Sequence, residues 1–167
     1  MRTALLLLAL CSCYPPAPNL NRDGGVDGGN TAELCAFSGG KSGSVPCTFT
    51  SATWLQSTNR TTIQVDSAPG AATAVSAQFS ISGTPRAATT YSGGTADTEC
   101  TIDVTDGPRR WSASTTMALG GCVVAVRTVR ELSNVNDMRT YDLHGGFTAS
   151  TEPDDGDGGT VTVQNSF

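Results

Sequence analysis

The sequence predicts an all-β domain: an antiparallel two-sheet sandwich of about eight or nine short strands, with an up-and-down β-barrel as the alternative closure. Three observations carry this. Apolar and polar residues alternate strictly in several stretches, the period of a strand with one face buried. Glycine-containing turn dipeptides separate those stretches at hairpin spacing. No ten-residue segment repeats its apolar positions at the helical period.

Residues 45–55 and 60–66 read as the first pair of strands. In 75–81, Val75, Ala77, Phe79 and Ile81 form an apolar set, and Ser76, Gln78 and Ser80 between them are polar. Residues 86–91 follow as a shorter candidate. The parity reverses in 99–105, with Cys100, Ile102 and Val104 inward and Glu99, Thr101 and Asp103 outward. In 110–117, Trp111, Ala113 and Met117 share an inward parity and Arg110 points out.

The run CVVAVRTV, within the strand 121–129, is apolar on both parities at first. That pattern is expected of the central, most buried strand. Residues 129–138 have room for one helical turn. Around Tyr141 the inward set is Tyr141, Leu143, Phe147 and Ala149, leaving Asp142, His144 and Thr148 outside. Gly145-Gly146 falls inside this pattern and predicts a bulge. Residues 160–167 close the series. Turns are marked by Pro69-Gly70, Gly93-Gly94, Asp106-Gly107, Gly120-Gly121 and the EPDDGDGG loop from Glu152.

At 167 residues there is room for one such domain, assigned to residues 31–167. Ten Lys and Arg are scattered among fifteen Asp and Glu, for a net charge of −5. Phosphate binding needs clustered cations, so a nucleic-acid groove is excluded.

The N-terminus has a different character. After Arg2, residues 4–10 are apolar. This is far short of the roughly 20 apolar residues of a membrane span, but it suits the hydrophobic region of a signal peptide. From Tyr14 the sequence YPPAPNLNRDGGVDGGN has almost no apolar content and reads as a flexible tether. Fully extended, such a segment reaches up to about 60 Å.

Between the two, Leu10-Cys11-Ser12-Cys13 resembles a bacterial lipobox, in which an apolar residue and a small residue precede a lipidated cysteine. The resemblance implies a signal peptide over 1–12, lipid on Cys13, a lipid-anchored tether over 13–30, and residence in the bacterial cell envelope, at the outer membrane or cell surface. Cys11 is the alternative anchor, but in that frame bulky Leu10 stands where a small residue belongs.

Parity favours Cys13. Of six cysteines, removal of Cys11 and use of Cys13 leave four, an even set suited to an oxidising compartment. A redox pair at Cys11-Ser12-Cys13 is disfavoured, because thiol oxidoreductases place two residues between their cysteines at a helix N-terminus.

Cys35, Cys47, Cys100 and Cys122 allow three disulfide connectivities. Proximity favours Cys35–Cys47 and Cys100–Cys122, the second expected to join neighbouring strands. That second pair brackets Trp111, but the interval is too short for an immunoglobulin bridge.

Few residues suggest chemistry. Gly40-Lys41-Ser42 matches the end of a phosphate-binding loop, but Val45-Pro46 follows where a helix is required. His144, the sole histidine, shares an outward face with Asp142, and two ligands fall short of a zinc site. Asp154, Asp155 and Asp157, like the DGGVDGG stretch from Asp23, offer carboxylates of the kind calcium accepts, without the ligand ladder of an EF-hand. Arg109-Arg110-Trp111 is one basic corner, not a nucleic-acid surface.

The expected function is therefore a non-enzymatic cell-envelope lipoprotein, a binding or structural module. It has no assigned catalytic residue, no cofactor beyond a conceivable calcium ion, and membrane contact through the anchor; a protein or glycan partner is left unassigned. An envelope hydrolase and a β-barrel carrier of a small apolar ligand are the alternatives.

Overall fold

A computed structural model describes residues 33–167. The expected signal peptide, Cys11, Cys13, the tether over 13–30 and the Asp23 stretch lie outside the described residues. Ten strands and no helix form the described part: β1 (Leu34–Gly39), β2 (Gly43–Leu55), β3 (Arg60–Ser67), β4 (Thr73–Ser82), β5 (Thr89–Ser92), β6 (Thr98–Asp106), β7 (Arg109–Ser114), β8 (Gly121–Val135), β9 (Met138–Pro153) and β10 (Val161–Ser166). All pairings are antiparallel.

The strands make one sheet, in the order β10-β1-β2-β3-β4-β6-β7-β9-β8-β5, with β9 also bonded to β10 and β2. Hydrogen bonding therefore runs in a ring through β1, β2, β3, β4, β6, β7, β9 and β10, with β8 and β5 extending from β9. The two closures that the sequence allows merge here: opposite walls face each other across one core, yet belong to one sheet. The ring is not a regular barrel, because β7 meets β9 only at Trp111↔Pro153 and Ser112↔Glu152.

The inward sets behave as the alternation predicts. Val75, Ala77, Phe79 and Ile81 of β4 and Cys100, Ile102 and Val104 of β6 are all buried. Tyr141, Leu143, Phe147 and Ala149 of β9 complete the opposite wall. The Phe79 and Phe147 rings meet at 5.2 Å between centroids, so side chains fill the interior where the walls face each other.

Several expectations are corrected. The central strand is β9, which pairs with β8, β2, β10 and β7, and not β8. The buried stretch of β8, from Cys122 to Val126, is the part flanked by β9 and by β5, which pairs with Val123 to Val126. No helical turn follows: β8 runs to Val135 and turns at Asn136, whose φ of 54° an Asn side chain tolerates. Strand β7 stops at Ser114, whose N–H bonds to Leu119 O at 2.8 Å, and Met117 is exposed in the intervening turn. Leu34–Gly39, ahead of the phosphate-loop look-alike and not among the strands the sequence predicts, form β1.

The bulge exists on the other strand. The β8–β9 register shifts between Val126 and Thr128, making Arg127 the extra residue opposite His144 and Gly145. Gly145 is required by close approach, since a Cβ there would collide with the carbonyl oxygen of Ala125. Its N–H also donates to Phe167 O at 2.6 Å, tying down the chain's last residue.

Both preferred disulfides are present. Cys35–Cys47 links the paired strands β1 and β2, with Cα atoms 5.6 Å apart. Cys100–Cys122, at 6.6 Å, does not close a neighbouring pair: it joins β6 to β8, which share no backbone pairing. This bridge ties together two parts of the ring near the sparse β7–β9 closure. Gly93 packs directly on it, leaving no room for a side chain against the Cys122 sulfur.

Candidate functional site

Outward residues converge into a cleft where β6, β7 and the end of β9 meet. Asp103 of β6 stands directly across from Ser112 of β7, and Ser112 stands across from Glu152 of β9. Directly paired residues share a sheet face, so these three side chains line one surface. Arg110, Asp154, Met117 and Leu119 complete a depression of about 450 Å³.

Its polar groups are ordered around Asp103. One carboxylate oxygen accepts from Arg110 Nη2 at 2.8 Å and from Ser112 Oγ at 2.9 Å. Arg110 Nε lies 3.5 Å from Asp154 on the other side. The hydrogen bond and charge of Asp103, then the charge of Asp154, hold the Arg110 pKa above its ordinary value, and burial opposes them. All three side chains are well hydrated, so these ion pairs set geometry more than stability. Three acids against one arginine leave the lining with a formal charge of −2. The exposed Met117 and the Leu119 side chain supply an apolar flank. Chemically, the cleft offers hydrogen-bond acceptors to a ligand that carries donors.

Sequence-predicted site residues fall elsewhere or serve structural roles. His144 is exposed on β9 opposite Thr128, eight residues and about 26 Å along the strand from Glu152. Its expected partner Asp142 instead accepts from Arg130 Nη2 at 2.7 Å. Asp154 faces Arg110, and Asp155 accepts the Asp157 N–H at 3.1 Å to shape the loop. Among the described residues no group of three or more His, Cys, Asp or Glu is placed to hold a metal ion. Lys41, in the phosphate-loop look-alike, is bound to Asp106 at 2.7 Å beside the Phe37 ring. The Lys41 hydrogen bond is also what chiefly lowers the Asp106 pKa.

Trp111 enters the core and Arg110 points out, as their parity predicts. Of the cleft, the sequence singled out Arg110 and Asp154 and placed Asp103 outward. Glu152 and Ser112 were missed, because only the β7–β9 closure brings them together across 40 residues of chain. No protein-family model, curated protein or solved structure matches this chain.

Proposed function

We propose that this chain is a lipid-anchored bacterial cell-envelope protein whose β domain acts as a binding or structural module. The observation that carries the reading is how cysteine is used. The four cysteines of the described domain are all consumed in Cys35–Cys47 and Cys100–Cys122. Such complete pairing fits an oxidising, extracytoplasmic compartment. It leaves Cys11 and Cys13 as the only other cysteines in the sequence, directly after an apolar run in a lipobox-like context. Cys13 is the residue with the small neighbour that the lipobox pattern needs.

The filled interior favours a module over a carrier, which needs an open lumen. The cleft beside β7 is the candidate contact surface, and its acceptor-rich lining suits a partner with hydroxyl or amine donors. A hydrolase reading lacks support there, because the Asp103 oxygen nearest to Ser112 is shared with Arg110 and His144 lies far away.

Metabolic labelling with palmitate in a bacterial host tests the anchor. Wild-type protein and a Cys11→Ser variant are expected to incorporate label, and Cys13→Ser to lose it. Labelling that survives Cys13→Ser, or an unlabelled wild type, would overturn the reading.

A further inference from the structure

The cleft beside β7 holds one charge that nothing else in its lining answers. Arg110 is spent between Asp103, at 2.8 Å, and Asp154, at 3.5 Å. Glu152 stands on the same face, directly across from Ser112, and its carboxylate has no hydrogen-bond or ion-pair partner among the described residues. Ser112 does not supply one, because its hydroxyl proton goes to Asp103 at 2.9 Å.

An apolar flank faces this carboxylate across the same cleft, and the backbone holds it still. Two residues along β7 from Ser112, about 7 Å at strand rise, Ser114 opens the turn that carries Met117 and Leu119. The turn is closed by the Ser114 N–H on Leu119 O at 2.8 Å and the Leu119 N–H on Ser114 O at 3.0 Å. Its start is tied to β6, where the Thr115 N–H donates to Cys100 O at 3.1 Å. At its end Gly120 approaches Ser150 O so closely that no Cβ fits. Between them Ala118 has a φ of 56°, a left-handed conformation uncommon for a residue other than glycine. Met117 is thus held 64% exposed beside the cleft by a turn fixed at both ends.

We propose that the cleft binds a primary ammonium carried on an alkyl stem, as in a lysine side chain or a free alkylamine, with the charge on Glu152 and the stem along Met117 and Leu119. The inference rests on the binding-module reading and deepens it by naming the ligand chemistry. The volume of about 450 Å³ falls within the roughly 300–1,000 Å³ of small-ligand sites, so it takes a side chain or a small molecule. Methionine is a polarizable, adaptable surface for such a stem. The 7 Å between the Glu152 row and the turn calls for a ligand with length, not a bare ammonium ion.

Other chemistries use less of what is there. An anion meets a lining of formal charge −2 whose one arginine is already engaged. A metal ion finds no group of three or more His, Cys, Asp or Glu placed to hold it among the described residues. A neutral sugar leaves the Glu152 charge unanswered, and no aromatic side chain lines the cleft for a ring to stack on.

Titration of the isotope-labelled full chain in detergent micelles, followed through the backbone amide signals of Ser112, Met117 and Glu152, tests this. The probes are N-acetyl-lysine amide, n-pentylammonium, methylammonium, the uncharged N-acetyl-norleucine amide and maltose. The two ammonium probes that carry a stem are expected to shift these signals saturably. Methylammonium, which lacks the stem, and N-acetyl-norleucine amide, which lacks the charge, are expected to bind at least about threefold more weakly. Glu152→Gln and Met117→Ser, both at exposed positions, are each expected to weaken N-acetyl-lysine amide by at least about threefold and to leave the signals of the core in place. Tighter binding of N-acetyl-lysine amide than of n-pentylammonium would assign the ligand to a peptide side chain, and the reverse order to a free amine.

Equal binding of N-acetyl-lysine amide and N-acetyl-norleucine amide would overturn the proposal, as would equal binding by wild type and Glu152→Gln. Shifts with maltose alone would overturn the amine and leave the binding module standing. No shift with any probe would overturn the amine and also count against the cleft as the contact surface. The lipid anchor is untouched by either result, since palmitate labelling decides it separately.

Discussion

Replacing Cys100 and Cys122 together by alanine is expected to cost about 3 to 4 kcal/mol of unfolding free energy, measured by urea denaturation under oxidising conditions. The bridge closes a 22-residue separation, and chain entropy alone gives roughly 3.4 kcal/mol for a loop of that size. It also joins β6 to β8, which no backbone pairing connects, so nothing else replaces it locally. Cys35–Cys47 spans 12 residues and links strands that already pair over four residue pairs. Its removal is expected to cost less, about 2 to 3 kcal/mol. An equal or reversed order of the two double variants would contradict the role given to the β6–β8 bridge.

Trp111→Ala is the second large effect, expected at about 3 to 5 kcal/mol. Trp111 is 1% exposed and is one of only two β7 residues that pair with β9. Its indole N–H donates to Gly159 O at 3.1 Å, which also pins the loop before β10. Deleting the ring leaves a cavity at the weakest closure of the ring of strands. Trp111→Phe keeps most of the apolar volume and loses the hydrogen bond, so its expected cost is smaller, about 1 to 2 kcal/mol. A loss below about 1 kcal/mol for the alanine variant would show that the β7–β9 contact does not hold the fold together.

The strands were legible wherever one face is buried and the other wet. Val75 to Ile81 and Glu99 to Thr105 announce their inward residues because the strand period admits only two faces. Proximity along the chain pointed to both disulfide pairs, and the inward parity of Cys100 and Cys122 agreed with the second. Parity could not place Cys100–Cys122 in space, because alternation tells which face a residue occupies and not which strand lies beside it. For this reason β8 looked central: its apolar run is real, but its burial comes from β9 and the short β5 together. The glycines Gly145-Gly146 marked the site of a bulge, and the extra residue lies across from them at Arg127 because the tight backbone contact is shared by both strands. Strand β1 was hidden by its Ser-Gly-Gly ending, where turn chemistry begins before the ladder to β10 and β2 has finished.

The cleft was less legible than the fold. Asp103 and Arg110 are opposite charges on the outward parity of consecutive strands, a signal available once their hairpin is recognised. Glu152 joins them only through the closure of the ring, a contact that no local pattern encodes.

The most direct test of the account is the intact mass of the protein extracted from bacterial membranes. The lipid-anchor reading predicts a mature chain that begins at Cys13, heavier than residues 13–167 by the mass of its acyl chains and glycerol, with the other four cysteines oxidised. A mature chain beginning at unmodified Tyr14, Ala17 or Met1 would contradict it.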